Sequence, residues 1–95
     1  MEITLSSNTA TIKGNIKSIS DFSEIKSLLD SLTSQKKSIV IKITDSLSIT
    51  SSVIGYFNKL ILKDKINIDM QIGNAQLMDL ISDLNLASTF NARKI

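Results

Sequence analysis

The stretch that most constrains the fold is Ser38–Thr44, SIVIKIT, with four β-branched apolar residues (Ile39, Val40, Ile41, Ile43) among seven. So continuous a run predicts a strand covered on both faces at the centre of a sheet. Asp45-Ser46 then breaks the pattern. After Ile49-Thr50-Ser51-Ser52, the residues Val53, Ile54, Phe57, Leu60 and Ile61 recur at helical spacing and form one apolar stripe. Thr50, Ser51 and Ser52 therefore belong to a helix N-terminus, outside the carboxyl end of a buried strand. In α/β proteins that is a common working surface, because free N–H groups and the helix dipole converge there.

The rest of the chain supplies partners for that unit. Glu2–Leu5 and Thr9–Ile16 alternate apolar and polar residues around Ser6-Ser7-Asn8, which predicts an antiparallel hairpin. Gly14 inside the second run suggests a bulge or a close backbone approach. A first helix is expected from Ser20-Asp21, capped by Asp21 with Glu24 as the reciprocal residue, and with Phe22, Ile25, Leu28, Leu29 and Leu32 inward. Lys36-Lys37 follows its end, where cations complement the dipole. Ile66, Ile68, Met70 and Ile72 alternate with polar residues as another strand, closed by Gly73. Asn74 is placed to cap a third helix carrying Leu77, Met78, Ile81 and Leu84, and Asn85 to terminate it in a left-handed conformation. Phe90–Ile95 reads as a last short strand. The order β-β-α-β-α-β-α-β predicts a single α/β domain over residues 1–95, with a mixed β-sheet and helices mostly packed on one face.

Ninety-five residues suffice for one modest core, and 42% apolar content argues against disorder. The net charge is +2, and the basic residues are scattered without interleaved aromatics, so no nucleic-acid partner is indicated. With no Cys and no His, thiolate chemistry, disulfides and the commonest general base and metal ligand are excluded. No apolar run approaches the roughly 18 residues that span a bilayer, and the first residues lack a signal-peptide pattern, so a cytoplasmic protein without direct membrane insertion is expected.

Asp45-Ser46-Leu47 spells the tripeptide to which acyl carrier proteins attach phosphopantetheine. Carrier proteins are acidic helical bundles, whereas this tripeptide follows a β-branched strand in a slightly basic chain; it is read as a turn. Asp79 and Asp83 lie four apart on the third helix, and like charges on one exposed face account for them. Tyr56 and Asn58 fall off the apolar stripe of the second helix, as partner contacts or as plain surface. No nucleophile–base pair, metal constellation or glycine-rich phosphate loop stands out, so no catalytic residue, metal site or cofactor is assigned and an enzyme is not expected.

The whole layout resembles a STAS domain, the fold of bacterial anti-sigma-factor antagonists. Ile12–Ile16 (IKGNI) is similar to that family's apolar-x-Gly-x-apolar second strand, and Ile39–Ser52 to its strand, turn and Asp-Ser-Ser-Gly helix start. Gly55 falls on the second Gly of a Gly-Leu-Gly pattern, and Leu84–Phe90 (LNLASTF) looks like the end of the family's third helix. Thr50 stands where the family has Asp, Val53 where it has Gly, and Lys17 where it has an acidic residue. The resemblance implies a signal-transduction module that switches partners by reversible phosphorylation. The implied acceptor is Ser51, with Thr50 and Ser52 as neighbouring alternatives. The implied partner is a histidine-kinase-like ATPase, an anti-sigma factor or switch kinase, contacting Thr50, Ser51, Ser52, Val53, Tyr56 and Asn58. A second implied role is that of a non-phosphorylated adaptor subunit in a phospholipid ABC transport system.

Overall fold

The computed structural model describes residues 1–95. In chain order the elements are β1 (Glu2–Ser6), β2 (Thr9–Lys13), α1 (Ile19–Thr33), β3 (Ser38–Ile43), α2 (Ser51–Leu62), β4 (Asn67–Ile72), α3 (Ala75–Asp83) and β5 (Ala92–Lys94). They build the expected α/β fold around a five-stranded mixed sheet in the order β1-β2-β3-β4-β5. The β1–β2 hairpin is antiparallel and every later pairing is parallel. Each helical crossover steps to the adjacent strand in the same direction. Crossovers of one hand that all step the same way leave every helix on the same side of the sheet.

Burial along β3 corrects one expectation. Ile39, Ile41 and Ile43 are inside, whereas Val40 and Lys42 are half-buried on the other face, so the central strand is covered on one side only. The register explains the difference. Val40 lies between Thr9 and Asp69, and Lys42 between Thr11 and Gln71, so the second face is a polar surface on which Val40 is the apolar exception. On the covered face Ala10, Ile12, Ile41, Ile43, Met70 and Ile72 meet Ile25 and Leu29 of α1, Phe57 and Leu60 of α2, and Leu77 and Ile81 of α3 in one cluster. Phe90 closes the far end, edge-on to Phe57 at 6.0 Å between ring centres.

The helix ends follow local chemistry. Asn74 accepts the Leu77 N–H at 3.1 Å, and Asn85 takes the left-handed conformation (φ 59°), both as expected. The capping box of α1 lies three residues earlier than expected: Ser18 is the cap and Asp21 is the reciprocal member, a role assigned in sequence to Glu24. The Asp21 carboxylate accepts the N–H groups of Lys17 and Ser18 at 3.0 and 3.1 Å, which holds its pKa below the ordinary range. The earlier start leaves Ile19 outside the core stripe and 84% exposed. Gly14 produces no bulge; it takes φ +85° immediately after β2 and turns the chain out of the sheet. Gly73 packs so closely on the Thr44 carbonyl that a Cβ there would collide with it.

Candidate functional site

The loops leaving β2 and β3 emerge side by side at the carboxyl end of the sheet, and their own polar groups tie them together. The Gly14 N–H donates to Asp45 Oδ1 at 2.7 Å, and the Leu47 N–H donates to Asn15 Oδ1 at 2.9 Å. Ser46 is fully buried; its Oγ accepts the Ile16 N–H at 3.2 Å and donates to the Ser48 carbonyl at 2.7 Å. Ser48 in turn donates to the Ile16 carbonyl at 3.3 Å. Because Asp45 accepts the Gly14 N–H, its carboxyl is held below the usual range, with Thr44 and Lys13 adding to the effect. Asp45-Ser46-Leu47 is therefore a clamp between two loops. A hydroxyl buried and bonded in this way is closed to any attached group, so the turn reading of the tripeptide stands.

Beyond the clamp the hydroxyls become accessible at the start of α2. Thr50 is the N-cap of α2, accepting the Val53 N–H at 3.3 Å. Ser51 and Ser52, the first two helical residues, are exposed. Thr50 and Ser52 share the wall of a surface depression of about 310 Å³ with Lys17, Ser18, Ile19 and Phe22. The amino ends of α1 and α2 thus flank one depression that carries a cation and no carboxylate. The free N–H groups and dipole of α2, together with the Lys17 ammonium, favour an anion on this side of the depression, while the Asp21 carboxylate occupies the first turn of α1. Ile19 and the 46%-exposed Leu47 add apolar surface at the same end of the molecule.

The structure brings Thr50, Ser51 and Ser52 together on an accessible edge and separates them from two residues grouped with them in sequence. Val53 is fully buried and Tyr56 only 5% exposed, which corrects their assignment as contact residues. Tyr56 turns towards α1: its hydroxyl donates to Asp30 Oδ1 at 2.6 Å, and its ring meets that of Phe22 edge-on. Burial, followed by the Asp30 carboxylate, pushes the phenol well above its ordinary pKa. Asp30 also pairs with Lys26 at 2.8 Å, so Tyr56 is a tie between α1 and α2. Asn58 is half-buried. Sequence reasoning missed Ile19, Leu47 and Asn15. Ile19 was detectable, since it falls outside the inward stripe of α1 and directly follows a serine able to cap.

No protein-family model, curated protein or solved structure matches the chain.

Proposed function

We propose that this chain is a regulatory protein-binding module of the anti-sigma-factor-antagonist type, acting without catalysis or cofactor. In this reading Ser51 is the phosphoryl acceptor, and a histidine-kinase-like ATPase is the partner in a bacterial cytoplasm. The observation that carries the reading is the exposed Ser51 at the first turn of α2, between Thr50 and Ser52, which line one depression with Lys17 and exposed Ile19. A phosphoryl group there adds about −1.5 to −2 charges where the helix end tolerates an anion. A partner seated on the same turn would have to bury that charge, so phosphorylation releases the partner and leaves the fold intact.

The contact surface in this proposal is Thr50, Ser51 and Ser52 with Ile19 and Leu47, replacing the buried Val53 and Tyr56. Pull-down of the cognate ATPase tests it. Ser51→Ala retains binding, Ser51→Asp weakens it, and Ile19→Asp weakens it with an unchanged thermal midpoint. Equal capture of all three variants and wild type contradicts the proposal. The second reading, a passive adaptor of a phospholipid ABC transport system, is favoured by one feature: no carboxylate lines the depression beside Ser51. It requires binding to a transport ATPase that is indifferent to Ser51→Asp.

A further inference from the structure

The two edges of the sheet are built differently. β5 is three residues long and carries Arg93-Lys94, so a second copy brought against it would meet adjacent cations. Short length and charge are the ordinary protections of a sheet edge. β1, Glu2–Ser6, has neither lysine nor proline, and it pairs with β2 in unbroken register from Glu2↔Lys13 to Ser6↔Thr9. The backbone groups that β1 presents outward can be identified. The Val40 and Thr44 N–H groups donate to the Asn8 and Ile12 carbonyls, so the even-numbered residues of β2 bond towards β3. Thr9, Thr11 and Lys13 therefore bond towards β1, where their partners are Ser6, Thr4 and Glu2. Ile3 and Leu5 are left with N–H and C=O groups pointing away from the sheet. Leu5 is also 38% exposed, although it stands beside buried Ile3 on the face the helices cover.

We propose that β1 pairs antiparallel with β1 of a second copy of this chain, about a two-fold axis through Thr4. In that register Ile3 faces the partner's Leu5, and the two exchange both of their outward backbone hydrogen bonds. Each exposed Leu5 gains an apolar neighbour on the covered face, and Thr4 faces the partner's Thr4 on the open face. Glu2, the one charge on the strand, faces the partner's Ser6, so no like charges oppose one another. An axis lying between two residues would set outward-bonding residues against inward-bonding ones, and an axis through Ile3 or Leu5 would pair only three of the five strand residues with one another, so Thr4, the middle residue of β1, gives the full ladder. The charged Lys26–Asp30 flank of α1 is turned to Tyr56 of α2, away from the β1 edge. The surface is distinct from the Thr50–Ser52 edge, and its test does not depend on the proposed function.

The chain has no cysteine, so a single introduced thiol reports one position. Residues opposite each other in a non-hydrogen-bonded antiparallel pair have Cα atoms about 4.5 Å apart, within the range a disulfide can bridge. Under mild oxidation Thr4→Cys should give a disulfide-linked dimer, while Thr11→Cys, one strand further from the axis, should not. In sedimentation equilibrium the wild type should dimerise reversibly. Leu5→Lys should weaken that dimer by about tenfold or more, because its ammonium group is set against the partner's Ile3. Circular dichroism checks that each variant is folded. A wild type that stays monomeric at about 1 mM, cross-linking as efficient at Thr11→Cys as at Thr4→Cys, or a dimer unaffected by Leu5→Lys would each overturn the proposal.

Discussion

Ser46 and Ser51 are five residues apart on one loop-to-helix passage and have opposite fates. Ser46 is fully buried, with its hydroxyl accepting one backbone hydrogen bond and donating another. Ser51 is exposed at the first turn of α2. The residue type is the same, so the environment decides the role. Ser46 stands where two loops converge and would otherwise leave a buried N–H and a carbonyl unpaired, whereas Ser51 stands after a cap that has already satisfied the Val53 N–H. A serine fixed by its neighbours builds the platform. A serine freed by them can take on chemistry.

The contrast depends on β3, which aims the passage. Ile41→Asp should have the largest effect, because it places a carboxylate without a partner at a fully buried position. A loss of several kcal/mol is expected, comparable to the whole stability of a small domain. Urea unfolding checks it: an unchanged midpoint would mean that β3 is not the central strand. Next comes Ser46→Ala. It leaves the Ile16 N–H and the Ser48 carbonyl unpaired and should cost about 1–3 kcal/mol in the same assay. A cost near zero would erase the distinction between the two serines.

Acid sharpens the comparison on the clamp side. Asp45 has a lowered pKa in the folded chain, because the Gly14 N–H bonds its carboxylate. A depressed folded-state pKa contributes stability that is complete above about pH 4 and is lost as the pH falls through the lowered value. The thermal midpoint of wild type should therefore fall more steeply on acidification than that of Asp45→Asn. Parallel curves for the two proteins would remove Asp45 from the clamp. Thr50→Ala should cost less, about 1 kcal/mol, for a lost N-cap bond. Ser51→Ala should be the smallest, within about 0.5 kcal/mol of wild type, as for an exposed side chain without a structural task.

Much of the architecture could be read from the sequence, since pattern and capping agree where they are unambiguous. The β-branched run gives β3, Asn74 and Asn85 bracket α3, and Thr50 precedes α2 as its spacing requires. The errors arise where several groups compete for one task. Ser18, Ser20 and Asp21 are all able to cap α1, and only the paired bonds of Asp21 to Lys17 and Ser18 favour the first. Tyr56 falls off a stripe drawn for a helix that packs on a sheet alone. α2 also packs against α1, which widens its buried arc to take in Tyr56 and leaves Ile54 and Ile61 half-exposed. The burial of Ser46 was not legible, because it depends on a loop thirty residues earlier in the chain.

The most direct test of the account is phosphosite mapping by mass spectrometry on protein recovered from its native cell, together with protein incubated with ATP and its cognate kinase. The account predicts phosphate on Ser51, none on Ser46, and an unchanged far-ultraviolet circular dichroism spectrum after modification. Phosphate on Ser46, or reproducible absence of phosphate from Ser51 in both preparations, would contradict it.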